Sequence, residues 1–465
     1  MAQNYVLLER IELNATAASV TFSNIPQTGY TDLKLVSSAR CTTVGYYSGY
    51  QQAMYARFNS SSTSYSHRWL QSEGNNSINS GNNSYFTAGT SYAPIATIDP
   101  SDWTANTFGN AELYIPNYTG SNFKSYSADA SAENNGTFGS EIMFAGLWSN
   151  TAAITSIALT LASGSFAAGS TFSLYGIANA STTPAIAPKA DGGNVIATDG
   201  TYWYHAFLSS GTFTPQTNLT CDYLVIAGGG SGGAGGANVG GGGGAGGLLY
   251  ATGSSFTATG YTVTIGAGGA SANQTDGNNG TNSSFNSSTA VGGGGGAGTA
   301  IGAGTARAGK SGGSGGGASY WNSGTAAGGA ATSGQGNKGG DITSSVNNNR
   351  AGAGGGGAGV AGANVVTNGT GTAGGNGSNT YSAWATATST GVGGYYAGGG
   401  ASVGDAQSGS GAISGGLGGG GNAQWVVNGV AGVTNTGSGG GGSIDSSTVS
   451  GAGGSGIVIV RYLAA

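Results

Sequence analysis

The sequence predicts an all-β protein in two parts: an N-terminal jelly-roll-like β-sandwich, then a glycine-rich bundle of left-handed polyglycine II helices with flanking strands. First, short segments that alternate apolar and polar residues, the period of a β-strand, recur through residues 1–180. Second, 18 of the 98 glycines precede residue 221, which leaves 80 for the rest of the chain. Third, the last of the 7 prolines is Pro215, so every later residue keeps an N–H group for main-chain hydrogen bonds.

Residues 1–180 form the first predicted domain, the β-sandwich. Clusters of Asn, Gly and Ser separate its strands, and residues 73–84 are predicted to form a long polar loop. Regularly spaced short strands with long loops favour a jelly-roll-like sandwich. The clearest strand segments are 19–22, 33–36, 112–115 and 155–161, and the candidate core residues include Trp103, Phe144, Trp148 and Phe172.

Residues 181–190 are rich in Pro, Ala and Thr and are predicted to be a linker. The glycine-rich domain follows at 191–465, with strands predicted within 200–227 and at 457–462.

The glycine runs allow two interpretations, a flexible linker or an ordered bundle of three-residue-per-turn helices. Ordering 80 glycines costs on the order of 100 kcal/mol. Each lateral main-chain hydrogen bond returns only about 0.5–1.5 kcal/mol, so only a multi-layer bundle with most N–H groups paired is stable. Order is favoured because apolar strand segments flank the region and because charges are scarce within it.

Charge and composition exclude several functional classes. The net charge is −5 and no basic run occurs, which argues against nucleic-acid binding. No apolar run approaches the ~18–20 residues of a membrane span. Glu9, Arg10 and Glu12 interrupt the apolar N-terminal segment, so no secretion signal is visible. Cys41 and Cys221 are too isolated for a disulfide or metal framework, and no cofactor is expected.

Residues that could catalyse a reaction are sparse, and the sequence predicts that the protein is not an enzyme. His205 lies in an apolar strand pattern and is expected to be structural. The polar stretch 67–69 (His-Arg-Trp) offers a sugar site only as the less favoured of its two interpretations. A glycosidase needs two carboxylates at a fixed separation, and nothing places a pair of the acids between Asp99 and Glu141 in that way. Residues 304–311 match the P-loop pattern, but the glycines that follow cannot propagate the helix that binds phosphate.

Aromatic residues of the glycine-rich domain fall in the interruptions between glycine runs. A close-packed glycine bundle has little room for phenol or indole rings, so these side chains are expected on connecting loops. Tyr and Trp combine an apolar face with a polar tip, which suits contact with glycans and protein loops. The alternative is that they cap the ends of the bundle. The predicted receptor-binding residues are Tyr320, Trp321, Tyr381, Trp384, Tyr395, Tyr396 and Trp425.

Two stretches of the chain resemble parts of phage proteins. The segment TANTFGNAELYIPNYTG, with the later AGLWSNTAAITSIALTLASGSFAAGSTFSLYGI, resembles a module of phage tail-fibre-like structural proteins. The segment TDGTYWYHAFLSSGTFTPQTNLTCDYLVIAGGG, with the closing GGSGIVIVRY, resembles the C-terminal glycine-rich domain of phage tail-fibre proteins. By extension it is similar to the tip adhesins of T-even-like phages, in which stacked polyglycine helices carry variable loops.

The resemblance implies a non-enzymatic tail-fibre adhesin in the virion, which binds a bacterial surface glycan or outer-membrane protein. It also implies contact with other virion tail proteins through the sandwich and a homo-oligomer, with a trimer favoured. A purely structural or decorative fibre and a polysaccharide-degrading fibre remain the alternatives.

Overall fold

The computed structural model describes the chain except for residues 1–4, 45–51, 74–76, 83–90, 137, 179–186, 236–238, 299–305, 322–323, 344–349, 368, 406–411, 446 and 465. Most of the predicted linker at 181–190 therefore lies outside the described residues. The chain divides into two compact units. The first comprises residues 1–188, 194–203 and 463–465, and the second comprises 189–193 and 204–462.

The described residues are nearly all β, as the sequence predicts, with one short helix. No helix in the described part is long and apolar enough to cross a membrane. The elements are β1 (Tyr5–Glu12), β2 (Ser19–Phe22), β3 (Tyr30–Ala39), β4 (Gln52–Phe58), β5 (Tyr65–Glu73), β6 (Ser77–Asn82), β7 (Ala93–Ile98), β8 (Gly109–Ile115), β9 (Lys124–Glu133), β10 (Gly139–Trp148), β11 (Ile157–Leu161), β12 (Thr171–Ala178), β13 (Ala190–Asp191), β14 (Val195–Thr198), β15 (Tyr202–Phe207), β16 (Gly211–Pro215), β17 (Leu219–Ile226), β18 (Leu248–Phe256), β19 (Tyr261–Thr264), β20 (Ser283–Phe285), β21 (Ser288–Ala290), β22 (Ser319–Trp321), β23 (Arg350–Gly352), α1 (Ser382–Ala387) and β24 (Ile457–Leu463).

Two antiparallel sheets make up the first unit. One follows the order β14-β1-β12-β3-β8-β9-β10-β5-β6, and the other follows β2-β11-β4-β7. Strand β7 packs on β8, β9 and β10, and one apolar core spans both sheets. Strand β9 shows why the sequence folds in this way, because its residues alternate strictly between buried and exposed.

The long polar loop predicted over 73–84 is wrong, because β6 pairs with β5 from Glu73↔Ser77 to Arg68↔Asn82. Strand β6 lies at the end of its sheet order, and the side chain of Ile78 is 75% exposed. An edge strand that buries neither face needs no apolar alternation, so the sequence pattern could not reveal it.

The second unit begins and ends in paired strands. Strand β17 enters the glycine-rich region and β24 leaves it, and the two pair antiparallel from Cys221↔Tyr462 to Ile226↔Ile457. Strand β18 flanks β17 on its other side. A smaller antiparallel sheet follows the order β13-β16-β19-β20-β21, and β22 pairs with β23.

The glycine runs are joined by main-chain hydrogen bonds that repeat every three residues. In residues 240–247, every third N–H group donates to the same neighbouring run. Consecutive N–H groups donate to three different runs, 437–443, 291–297 and 353–356, at N···O distances of 2.7–2.9 Å. Residues 239–247 are all buried, so this run lies inside the unit with its main chain satisfied on several sides.

At several positions within these runs only glycine fits. A Cβ atom built on Gly242 would lie within 3 Å of the carbonyl oxygens of Gly400 and Ala401. One built on Gly243 would meet the main chain of Gly230 and Ser231 in the same way. The main chains therefore approach one another this closely because most residues of the runs carry no side chain.

Candidate functional site

Two of the predicted binding residues flank an ion pair in the second unit, and we call Trp321, Arg350, Asp405 and Trp425 the arginine–tryptophan cluster. Antiparallel pairing of β22 with β23 sets Trp321 opposite Arg350. The Arg350 guanidinium carbon lies 5.7 Å from the centroid of the Trp425 ring, within the range of a cation–π contact. Trp321 and Trp425 are both half-buried, so each ring leaves part of its surface to solvent.

Asp405 holds Arg350 in place through main-chain and side-chain contacts. The Arg350 N–H donates to Asp405 Oδ2 at 2.6 Å, and Nε donates to Oδ1 at 2.9 Å. A β-bridge between Ala351 and Gly404 aligns the two chain segments. The side chains of Arg350 and Asp405 are 23% and 21% exposed, so the guanidinium is fixed and still reachable from solvent.

A buried apolar group packs against Trp425 of the arginine–tryptophan cluster. Trp425 packs against a buried group formed by Val239, Ala401, Val403, Ala423 and Ile444. Bridges between Val239 and Ile444 and between Ile413 and Ala423 hold these segments together. The arginine–tryptophan cluster is therefore packed against chain segments that are far apart in sequence.

Tyr320 is fully buried, which corrects the expectation that the rings sit on exposed loops. Its hydroxyl accepts a hydrogen bond from the Gly369 N–H at 3.1 Å. Aliphatic side chains pack around the ring. The buried group comprises Ala318, Tyr320, Ile342, Ala351, Ala353 and Val365.

Tyr381 and Trp384 lie at α1 in a separate aromatic group with Tyr250 and Tyr204. Tyr381 is half-buried and lies 5.2 Å from Tyr250, centroid to centroid. Trp384 is only 4% exposed, and the guanidinium carbon of Arg461 lies 4.5 Å from its ring centroid. Trp384 is thus enclosed by its neighbours, as expected of a residue that stabilises the unit.

Asp222 pairs with the Arg461 that covers Trp384. Arg461 Nε and Nη2 donate to Asp222 Oδ2 at 3.1 and 2.9 Å, and Thr252 and the Gly253 N–H donate to Oδ1. Burial alone would raise the pKa of Asp222, but these hydrogen bonds outweigh it and hold the pKa below its usual value.

Tyr395 and Tyr396 are adjacent but differ in exposure. Tyr395 is half-buried, and its hydroxyl accepts a 3.4 Å hydrogen bond from Asn379. Tyr396 is fully buried and shares a hydrogen bond with the Thr390 hydroxyl. Burial raises the pKa of Tyr396 to about 12.

The histidines are buried in separate units. His205 lies between the carbonyl oxygen of Gly192, at 2.7 Å, and the Tyr462 hydroxyl, at 3.0 Å, and burial lowers its pKa to about 4. His67 is 2% exposed, and burial lowers its pKa to about 4 as well. The sugar-site expectation is therefore wrong for His67 itself, because its ring points into the core.

Among the described residues, no group of three or more His, Cys, Asp or Glu side chains is arranged to hold a metal ion. Cys41 and Cys221 are both buried free thiols. The P-loop-like segment begins outside the described residues, and its Lys310 donates a 2.7 Å hydrogen bond to the carbonyl oxygen of Gly277. Lys310 thus contacts the main chain of its own unit.

Sequence reasoning missed the ion pairs of the glycine-rich region, two of which lie against aromatic residues. The glycine-rich region has few charges, and several of them form pairs between distant segments. These pairs are Arg307–Asp276, Arg350–Asp405 and Arg461–Asp222. The signal available in the sequence was the scarcity of charge in this region. A charged side chain in a buried region needs a partner of opposite charge, so the few charges present could have been expected to pair.

Comparison with known proteins identifies the second unit. The family model Gly_rich_2, described as a glycine-rich domain, matches residues 208–463. The match begins directly after β15 and ends at the last residue of β24. No curated protein matches the chain in sequence.

Proposed function

The chain belongs to the glycine-rich domain family, and we propose that it is a non-enzymatic tail-fibre adhesin of a bacteriophage. In this proposal the glycine-rich unit binds a receptor on the host-cell surface, a glycan or an outer-membrane protein. The first unit attaches to other tail proteins of the virion, and the chain works as a homo-oligomer, with a trimer favoured.

The fold proposed for the glycine-rich unit is a bundle of polyglycine II helices, and that for the first unit is a jelly-roll-like sandwich. Hydrogen bonds that repeat every three residues and point to three neighbours support polyglycine II, which has three residues per turn. Such a bundle is stabilised by its main chain, so connecting residues are free to serve recognition.

The observation that carries the adhesin proposal is the arginine–tryptophan cluster. Half-buried indole rings beside a fixed, solvent-reachable guanidinium combine apolar contact area with directed hydrogen-bond donors. Trp and Arg dominate the binding energy of protein interfaces because they supply both. Several copies on one virion would strengthen a weak single contact through multivalency.

The experiment measures binding of the full-length labelled protein to a panel of bacterial strains. We expect Trp425→Ala and Arg350→Ala to weaken binding to a recognised strain at least tenfold, which is about 1.4 kcal/mol. Phe123→Ala is the matched control, because Phe123 is 55% exposed and lies in the first unit. Equal binding by all three variants would contradict the assignment of the site.

A structural or decorative fibre is the second candidate function. The burial of Tyr320, Trp384 and Tyr396 favours it, because these rings stabilise the unit and are closed to a receptor. A folded wild-type protein that binds no strain in the panel would favour this candidate over the adhesin.

A further inference from the structure

A groove lies on the outer face of the first unit. It covers the part of the larger sheet that extends from β8 to β5, the strand next to the edge strand β6. Its cavity has a volume of about 610 Å³, which is in the usual range for small-molecule sites. Strands β5, β8, β9 and β10 form its floor. The groove thus lies on the exposed face of the sheet, opposite the face that packs on β7.

Strand register arranges the side chains that line the groove in two rows, each of which crosses the four strands. Pairing aligns Tyr114, Ser127, Ala145 and Arg68 in one row. The small side chains of Ser127 and Ala145 lie between the large ones of Tyr114 and Arg68. Because neighbouring strands are ~4.8 Å apart, this row spans about 14 Å from β8 to β5.

The second row supplies carboxylates and apolar surface. Pairing aligns Glu112, Asp129, Met143 and Leu70 across the same four strands. Met143 and Leu70 are 47% and 43% exposed, and their pairing sets these two apolar side chains next to each other at the surface. One end of the row is therefore acidic and the other is apolar.

Two side chains that line the groove are fixed by neighbouring residues in the absence of a ligand. The Tyr114 hydroxyl donates to Asp32 Oδ2 at 2.9 Å, which fixes the ring. Lys34 Nζ lies 2.7 Å from Glu112 Oε2 and so orients that carboxylate. A site held in place in this way loses less entropy on binding than a mobile one.

Charge selects the class of ligand. Lys34, which lies beside the groove, neutralises Glu112 through their ion pair, and within the groove Arg68 balances Asp129. The groove therefore favours neither an anionic nor a cationic polymer. It offers hydrogen-bond donors, acceptors, a tyrosine ring and aliphatic surface along one trough. A neutral sugar chain presents hydroxyl groups at its edges and apolar C–H surface on its ring faces.

We propose that this groove binds a neutral oligosaccharide, with Tyr114 and Met143 against the sugar faces and Asp129 and Arg68 hydrogen-bonded to hydroxyl groups. The site lies wholly in the first unit and does not rest on the proposed function of the glycine-rich unit.

The test titrates the full-length protein with maltohexaose, cellohexaose and chitohexaose by isothermal titration calorimetry. We expect at least one of the three to bind saturably, with a Kd between micromolar and millimolar. Ala145→Trp places a large ring in the trough without touching the core, and Asp129→Asn removes an acceptor. Each should weaken binding at least tenfold.

Thr21→Trp is the matched control, because Thr21 is exposed on β2 of the other sheet. Its affinity should equal that of the wild type, and unchanged circular dichroism should show that all variants are folded. The proposal is overturned if none of the three sugars binds, or if binding survives in Ala145→Trp. A preference for a sulfated hexasaccharide or a peptide over the neutral sugars would overturn it as well.

Discussion

The substitution Gly243→Ala tests whether the glycine runs pack as closely as their hydrogen bonds indicate. The added methyl group would lie within 3 Å of main-chain atoms of Gly230 and Ser231. Main-chain atoms cannot rotate away as a side chain can, so the run at 228–234 must shift. That shift stretches the hydrogen bonds from Gly230 to Gly244 and from Gly233 to Gly241, both of 2.9 Å.

The loss of stability follows from those two bonds. Leaving a buried main-chain group unpaired costs about 1–3 kcal/mol, so two bonds give about 2–6 kcal/mol. Alanine also restricts the unfolded chain, which offsets about 0.4–1 kcal/mol. We therefore expect the free energy of unfolding of the second unit to fall by about 2–5 kcal/mol. For a unit of this size, its Tm falls by about 4–20 °C.

Differential scanning calorimetry of the full-length protein measures the effect, with Gly211→Ala as the matched control. A Cβ atom on Gly211 would contact only the Phe207 ring, at 3.6 Å, and the residue is exposed in β16. The control should stay within about 0.5 kcal/mol of the wild type. Equal stability of the two variants would refute the close packing of residue 243.

Three further predictions concern polar groups that are buried or half-buried. Burial raises the pKa of Glu9 from 4.5 to about 8, so its contribution to stability is complete below pH 4.5 and is lost as the pH rises from 4.5 through 8. Glu9→Gln should remove a pH dependence of about 5 kcal/mol in the free energy of unfolding, measured by urea titration at several pH values, and the same pH dependence in the variant as in the wild type would contradict it. The lowered pKa of Asp222 stabilises the protein above pH 3.8 and ceases to do so as the pH falls through the folded-state value. Asp222→Asn should therefore cost about 2 kcal/mol at neutral pH and little in acid, and a cost independent of pH would argue against the charged pair. Tyr320→Phe leaves the buried Gly369 N–H without its acceptor and should lower the free energy of unfolding by about 1–3 kcal/mol, whereas equal thermal stability would show that this hydrogen bond contributes nothing.

Local patterns made the all-β class predictable. Strict alternation in β9 identifies a half-buried strand without any knowledge of its neighbours. The apolar segments of β17 and β24 favoured order because a linker has no need of them, and in the structure the two strands pair. A run of glycines is ordered only if it finds hydrogen-bonding partners in runs that are distant in sequence. Composition alone therefore could not decide between an ordered bundle and a flexible linker.

Long-range pairing explains what the sequence could not reveal about the candidate site. The burial of Tyr320 depends on the pairing of β22 with β23 and on Ile342 and Val365, which belong to the same buried cluster. The short helix α1, which has no side-chain cap, carries no clear sequence signal. Trp384 is buried by residues that are distant in sequence, the rings of Tyr204 and Tyr250 and the guanidinium of Arg461.

Amide hydrogen exchange of residues 240–247 is the most direct test of the account. Every N–H group in this run donates to a main-chain carbonyl of another segment, and the run is buried. We predict exchange slowed to the rate of global unfolding of the second unit, as in β17 and β24. Exchange at the rate of an unstructured peptide would contradict the ordered bundle and would favour the alternative interpretation, a flexible linker.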